Sequence, residues 1–216
     1  MIISDVRHSV LDHLRGKIVL GEFSAGQRLN EADLASDLNI SRPPLREALR
    51  ILESEHLVEN VPRKGTYVTK LTNENFQGIY QARGMIECYS IDLIEKKRIT
   101  DFSPMISALN MSAGLKTEPG ADPQEIMNCL KVYADFHSKL VELGDNSYLT
   151  RFYQSIAGNL IRYQFLFFSK RKYRESVLEE HHHILDLIRT GAFGEAKENL
   201  LFHINRSLEQ IGTEGF

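Results

Sequence analysis

The sequence predicts a mainly α-helical protein in two parts. Apolar residues recur at helical spacing along most of the 216 residues. An alternating, β-branched pattern around a glycine turn stands out only at 57–70. We therefore expect three helices with a small β-hairpin in residues 1–71, followed by an all-α antiparallel bundle of about six helices in residues 72–216.

The first two helices are expected at 4–20 and 31–38. Both segments carry apolar residues on one face, and "GEFSAGQRL" at 21–29 between them is predicted as a loop because Gly21 and Gly26 interrupt it.

A third helix is predicted to begin at Ser41 and to run to about His56. Serine is a favourable N-cap residue, and Pro43 and Pro44 are tolerated in the first turn, where their missing N–H groups have no intrahelical partner. Apolar residues at helical spacing define its buried face: Leu45, Leu49 and Leu52.

Three arginines recur every four residues on another face of this helix: Arg42, Arg46 and Arg50. Taken alone, such a row is most simply a solvated basic face. A short helix, the turn "NIS" and this second helix nevertheless form a helix-turn-helix arrangement. The segments 57–60 and 66–70 around "RKG" complete a winged helix, and 61–70 contains basic residues but no acid.

Three stretches of this part resemble the DNA-binding domain of the GntR family of bacterial transcription regulators: "SAGQRL", "LASDLNISRPPLREAL" and "RKGTYV". The resemblance implies that the helix beginning at Ser41 enters the major groove and that the hairpin approaches the minor groove. It makes Arg42 and Arg46 candidate base or phosphate contacts and Gly65 the glycine of the wing. Ser41 and Arg50 of the same helix are further candidate DNA contacts.

Lys64 is added to these candidates from its charge alone. Pro43 and Pro44 depart from the family pattern, which often has small polar residues there, so recognition is expected to rest more on the arginines and the wing.

The second part is predicted to contain six helices. The expected ranges are 73–98, 102–116, 123–143, 146–169, 173–190 and 193–212.

Three histidines lie on apolar stripes of three of these helices: His137, His181 and His203. A single histidine in such a position is usually a hydrogen-bonded core residue. Three on inward faces favour a shared metal ion, because burying imidazole without a partner is costly.

"FHSKLVELGDNSYL" and "EEHHHILDLIRTGAFGEAKENLLFHI" resemble the effector domain of the FadR subfamily of GntR regulators. In many members an acid, the histidine four residues later and two histidines 22 residues apart bind a divalent metal. The resemblance implies that His137, His181 and His203 are the ligands, with His182 and His183 facing solvent or supporting the site. Tyr133 stands where the acid is expected, so either a zinc- or nickel-like ion is held by three imidazoles, or the site has no metal.

The candidate effector-binding residues are Arg83, Tyr133 and Arg162. Arg83 lies on an apolar stripe, so it needs an anionic partner; Glu87 one turn later or a ligand carboxylate could supply one. The resemblance likewise points to a small organic acid effector.

The formal net charge is −3, and there are only two cysteines. With no signal peptide and no membrane-spanning apolar run, we expect a cytoplasmic protein. The leading hypothesis is a ligand-responsive transcription regulator, more often a repressor in the family, that binds operator DNA as a homodimer. Alternatives are a metal-free regulator that responds to an acyl or acyl-CoA ligand, for which "YQFLFF" at 163–168 would suit an apolar pocket, and a metal-dependent hydrolase with a DNA-binding domain. We expect no enzymatic activity, because the chain contains no "HExxH".

Overall fold

The computed structural model describes residues 2–113, 115, 121–168 and 176–212. Its contacts divide the chain into two compact units, Met1–Leu71 with Ser155–Arg162 and Thr72–Gln154 with Tyr163–Phe216. The described residues are mainly helical with one small antiparallel sheet, which confirms the predicted fold class.

The first unit contains the predicted winged helix. Its elements in chain order are helix α1 (Ile2–Val19), strand β1 (Arg28–Leu29), helices α2 (Glu31–Asp37) and α3 (Arg42–Ser54), and strands β2 (Val58–Val61) and β3 (Gly65–Val68). The strand order is β1-β3-β2, with both pairs antiparallel.

Strand β1 differs from the loop predicted at 21–29. Arg28 pairs with Tyr67 and Leu29 with Thr66, so the sheet has three strands instead of two. A two-residue strand is too short to show an alternating pattern, so the sequence carried no signal for it.

Local side-chain and backbone features shape the start of α2 and the turn between α2 and α3. Asn30 caps α2 by accepting from the N–H of Ala32 at 3.0 Å. Asn39 adopts a φ of 51°, a left-handed conformation that asparagine tolerates better than most residues. Ser41 occupies the N-cap position of α3, but the predicted capping bond from its side chain is absent. The prolines in the first turn of α3 remove N–H groups that such a cap would serve.

The core of the first unit lies between α1, α3 and the sheet. Leu45, Leu49 and Leu52 point into it, as their spacing predicts. They pack with further buried apolar residues, among them Leu14, Ile18, Leu29, Leu57 and Val68. Since one face of α3 is buried in this way, its remaining face is presented to solvent.

The described residues of 72–216 contain six helices, as predicted, although the middle of the fourth, Ser155–Arg162, belongs by its contacts to the first unit. These are α4 (Asn73–Lys97), α5 (Ser103–Ser112), α6 (Pro123–Leu143), α7 (Ser147–Phe168), α8 (Ser176–Arg189) and α9 (Phe193–Gly212). Helix α5 ends earlier than its predicted range 102–116, because Ala113 has an extended ψ of 122°. Residues 114, 116, 169 and 173–175 of the predicted helices lie outside the described residues.

The core of the second unit combines apolar residues with several buried polar ones. Arg83 and Glu87 of α4 are buried, as are His137 of α6, His181 of α8 and His203 of α9. Buried polar groups require partners, so their contacts identify a candidate site. None of the helices in the described residues is both long enough and apolar enough to cross a membrane.

Candidate functional site

The three arginines of α3 are all exposed on the face opposite the core. Arg46 donates from Nε to Glu31 at 2.7 Å, and Arg50 pairs with Glu47 at 2.9 Å. Among the described residues no carboxylate forms an ion pair with Arg42. Exposed pairs contribute only about 0–1 kcal/mol, so Arg46 and Arg50 can exchange their carboxylates for another anion at little cost.

The β2–β3 turn presents the two wing residues chosen from the sequence. Lys64 is exposed, and its N–H donates to Val61 O at 3.0 Å. Gly65 has a φ of 107°, which is accessible to glycine but strained for other residues. A tight turn here therefore depends on glycine at 65 and leaves the Lys64 side chain in solvent.

A cleft is lined by residues of α3 and of the sheet. Arg46 and Arg50 line it, but so do Glu31 and Glu53, together with Asn60 of β2. The cleft therefore has mixed charge, in keeping with the equal numbers of acidic and basic residues in residues 1–71.

The second site is a cluster of three buried imidazoles. Nε2 of His137 lies 3.0 Å from Nε2 of His181, which in turn lies 3.3 Å from Nε2 of His203. In the described part of the chain these three residues form the one group with metal-binding geometry, and their ligand atoms all lie within 4.8 Å of one another. The structure thus brings together the three histidines that the sequence selected.

Carboxylates bind the outer nitrogens of two of these rings. Nδ1 of His137 lies 2.7 Å from Oε2 of Glu87, and Nδ1 of His203 lies 2.8 Å from Oε2 of Glu180. Bonds of this kind orient an imidazole and direct its other nitrogen toward a metal.

His181 is positioned by packing instead. Its ring stacks on Phe136, with 4.4 Å between centroids and 10° between planes. Its Nδ1 is buried and has no hydrogen-bond partner among the described residues.

Glu87 is the centre of a second set of contacts on α4 and α7. Its Oε1 accepts from Nε of Arg83 at 2.7 Å and from the hydroxyl of Tyr153 at 3.0 Å. Although burial opposes ionisation, the interactions with His137 and Arg83 lower the pKa of Glu87 to about 2. Glu87 is therefore ionised, and the alternative that Arg83 pairs with Glu87 inside the protein is realised.

All three imidazoles are held in the neutral form. Burial, reinforced by the charge of Arg83, lowers the pKa of His137 to about 4. Burial is also the first cause of the lowered pKa values of His181 and His203. Neutral imidazole is the form that binds metals.

The cluster fits a transition-metal ion by its donor set and by its distances. Nitrogens bound at about 2.0–2.1 Å to a tetrahedral zinc ion lie about 3.3–3.4 Å apart. The two separations that involve His181, 3.0 and 3.3 Å, are close to these values, and the third pair of ligand atoms lies within 4.8 Å. The buried triad could hold a metal, with an open position for a further ligand.

Tyr133 occupies the position where the sequence comparison expects an acid. It is buried one turn before His137, and its hydroxyl donates to Leu115 O at 3.2 Å. Its ring centroid lies 6.3 Å from that of His181. Tyr133 therefore forms one side of the cluster without adding a carboxylate.

The other sequence candidates lie elsewhere. Arg162 donates to Oγ1 of Thr69 at 3.1 Å and belongs by its contacts to the first unit, so its effector role stays a prediction. His182 and His183 are exposed, as expected for the remaining members of the "HHH" run.

Comparison with known families matches both units. Residues 7–68 match the family described as bacterial regulatory proteins, gntR family, and residues 78–206 match the FCD domain. The chain belongs to the GntR family. The combination of the two domains is that of its FadR subfamily, as the sequence predicted.

Relatives extend over most of this GntR chain. It is 30% identical over 189 residues to the Nta operon transcriptional regulator of Aminobacter aminovorans, covering 88% of this chain and 86% of that protein. It is 31% identical over 180 residues to the gluconate operon transcriptional repressor of Bacillus subtilis, covering 80% and 68%. A putative GntR regulator from Rhodococcus sp. RHA1 has the same fold, with a TM-score of 0.76 at 23% identity over 95% and 96% of the two chains.

These matches make the chain a transcription regulator, and an FCD domain is consistent with control by a ligand. The relatives named above are transcription regulators.

Sequence reasoning missed two of the residues around the histidines. Neither Tyr153 nor Glu180 was assigned a role. Glu87 was considered only as a partner of Arg83, although its second oxygen binds His137, 50 residues away. An inward acid one turn from Arg83 was the available signal, but it could not reveal a contact between distant segments.

We predict that metal-free protein loses stability as the pH falls from about 6.5 to 4. The unfolded chain protonates its histidines near their ordinary pKa of 6.5, whereas His137 resists protonation until about pH 4. The free energy of unfolding is therefore highest above pH 6.5. The difference between the two pKa values of His137 alone lowers it by about 3 kcal/mol as the pH falls to 4. Urea unfolding in the presence of EDTA at a series of pH values measures this.

The exposed His182→Gln variant serves as the control and should reproduce the wild-type curve. Glu87 contributes in a separate window, below pH 4.5, because its own pKa is lowered to about 2. A free energy of unfolding that stays constant between pH 7 and pH 5 would contradict neutral buried imidazoles.

Proposed function

We propose that this regulator is a cytoplasmic homodimer that represses transcription by binding operator DNA. In this proposal the second unit holds a zinc- or nickel-like ion on His137, His181 and His203, together with a small organic acid effector. Residues 1–71 serve DNA binding and residues 72–216 serve effector binding and dimerisation. The convergence of three neutral Nε2 atoms in the buried core is the observation that carries the effector half of the proposal.

The arginine face of α3 supports the DNA half. A planar guanidinium matches guanine O6 and N7 or a phosphate, and the exposed pairs of Arg46 and Arg50 are easily exchanged. Ser41 and Arg42 are exposed at the start of the same helix, and Lys64 and Gly65 form the wing turn. The cytoplasm follows from the DNA target, and two free cysteines suit a reducing compartment.

Charge balance supports an anionic effector. Glu87 is paired with Arg83, and Glu180 with Arg206, so the carboxylates behind the histidines are already neutralised. A divalent ion on three neutral imidazoles would therefore keep its full positive charge in a buried site. An organic acid bound to the ion offsets that charge.

Arg83 and Tyr133 are the residues we propose for the effector. Arg83 uses Nε for Glu87, and its terminal amino groups are the natural donors to a carboxylate. Tyr133 offers an aromatic wall beside His181. The metal would supply the second anchor for the acid, and the chain's own residues would orient it.

Exposed apolar side chains support association with a second copy. Met85 and Tyr89 on α4 are 70% and 50% exposed, and Phe202 on α9 is 64% exposed. Exposed large apolar residues in one unit are typical of interaction surfaces. A dimer would place two winged helices on a pseudo-palindromic operator, and the effector would act by preferring one arrangement of the dimer.

Two other functions remain testable. A metal-free regulator would bind an acyl or acyl-CoA ligand; the buried Tyr163 and Phe165 of "YQFLFF" suit core packing equally well. A hydrolase would need a general base beside the metal, but Glu180 is engaged by His203 and Arg206. We therefore propose no enzymatic activity.

Arg46→Ala is expected to weaken operator binding roughly 5- to 150-fold, because one bidentate base contact is worth about 1–3 kcal/mol. Gel-shift titration with an operator from the chain's own promoter region measures it. Arg189→Ala removes an exposed arginine of α8 and should leave the affinity unchanged. Footprinting that persists unchanged in Arg46→Ala would refute this docking mode.

His203→Ala is expected to abolish tight metal binding, because the ion would be left with two protein ligands. Elemental analysis of the purified, dialysed protein tests this directly: one zinc- or nickel-like ion per wild-type chain and less than about a tenth of that in the variant. His182→Ala, which removes an exposed neighbouring imidazole, should keep the ion. Equal metal content in wild type and His203→Ala would make the cluster purely structural.

Tyr133→Asp is expected to shift metal preference toward manganese, because it adds a carboxylate one turn before His137. Competition between zinc and manganese, followed by the quenching of a fluorescent chelator, measures the preference. Tyr133→Ala controls for the loss of the ring. If Asp and Ala variants show the same preference, position 133 does not face the ion.

A further inference from the structure

The three imidazoles are part of a longer chain of hydrogen-bonded polar groups, buried at the Arg83 end and half-buried at Glu180 and Arg206. From one end to the other it contains Arg83, Glu87, the three histidines, Glu180 and Arg206. An arginine and an imidazole thus contact each carboxylate at the same time. This double contact has consequences for where the imidazole protons lie.

An ionised carboxylate can only accept hydrogen bonds. Glu87 and Glu180 are kept ionised by their arginines, so the Nδ1 atoms facing them must carry protons. A neutral imidazole has one N–H, and therefore Nε2 of His137 and Nε2 of His203 are bare lone pairs.

His181 lies between these two acceptors. Its Nε2 is 3.0 Å from that of His137 and 3.3 Å from that of His203. Its Nδ1 has no partner among the described residues. Three lone pairs facing one another would repel, so in the metal-free protein the His181 proton belongs on Nε2, where it is shared between the two neighbours.

We propose that Glu87 and Glu180 fix His137 and His203 as Nδ1–H tautomers before any ion arrives, and that His181 alone changes tautomer when a metal binds. Glu87 and Glu180 are then positioning residues, since each acts through an imidazole. In the metal-free protein, Nε2 of His137 and Nε2 of His203 are thus already free to bind an ion, whereas Nε2 of His181 carries a proton that lies between them.

The exchange at His181 is balanced in protons. If an ion bound, Nε2 of His181 would release its proton to solvent and Nδ1 would take up a proton, so the ring would stay neutral. His137 and His203 would keep their protons on Nδ1. The second half of the proposal rests on the metal-binding function proposed above; the tautomers of the metal-free protein do not.

Long-range ¹H–¹⁵N correlation spectra of the full-length protein, labelled at histidine and stripped with EDTA at pH 8, read the tautomers directly. Single His→Gln variants assign the signals. The expected result is Nδ1–H for His137 and His203 and Nε2–H for His181. Adding zinc should move the His181 proton to Nδ1 and leave the tautomers of the other two unchanged.

Glu87→Gln provides the decisive variant, with Glu179→Gln as a control that makes the same change at an exposed position of α8. Arg83 and Tyr153 both donate to Oε1 of Glu87 and would hold the amide oxygen there, so the amide NH₂ would face Nδ1 of His137 and drive its proton to Nε2. Zinc affinity should fall roughly 10- to 100-fold, whereas Glu179→Gln should behave as wild type. Glu180→Ala removes the acceptor of His203 and is the second variant if Glu87→Gln does not fold; its zinc affinity should fall likewise.

The outcomes of these experiments distinguish the proposed tautomers from the proposed metal-binding function. An Nε2–H tautomer at His137 or His203 in the metal-free wild type, or an unchanged His137 tautomer in Glu87→Gln, overturns the proposal. The expected tautomers with no zinc uptake support the positioning role and refute the metal function instead. A tautomer change at all three rings on zinc binding refutes the special role of His181.

Discussion

The second unit depends on one constraint, the burial of three imidazoles side by side in an apolar core. Nε2 of His181 lies at hydrogen-bonding distance from Nε2 of His137 and from Nε2 of His203. Burial keeps all three rings neutral, and neutral rings have only one proton each. The surrounding carboxylates and arginines are arranged to meet this constraint. A buried polar network with this many contacts is costly to disturb, which is what a binding site with fixed geometry requires.

Helical arginines have different surroundings in the two units. In the first unit α3 buries its leucines and leaves its arginines in exposed, exchangeable pairs. In the second unit Arg83 is locked into a buried pair with Glu87. Exposed arginines can exchange partners with little loss, whereas a buried arginine needs a matching anion, so only the former suit a surface that binds and releases DNA.

Much of this could be predicted from the sequence, and the failures share a cause. Helical spacing identified α3 and its buried leucines, and the inward position of Arg83 indicated an anionic partner. The contact of Glu87 with His137 and that of Glu180 with His203 join distant segments, which periodicity cannot reveal. The predictions of a loop throughout 21–29 and of a capping bond from Ser41 were wrong for local reasons. A two-residue strand makes no pattern, and the prolines of the first turn lack the N–H groups that a cap would bind.

X-ray absorption spectroscopy of the intact protein, purified without added metal or chelator, tests the central claim most directly. The account predicts an absorption edge for zinc or a nickel-like ion. The fitted coordination should contain three imidazole nitrogens at about 2.0–2.1 Å and at least one further light atom. Absence of such an ion, or a fit with fewer than three imidazoles or with a sulfur ligand, would contradict it.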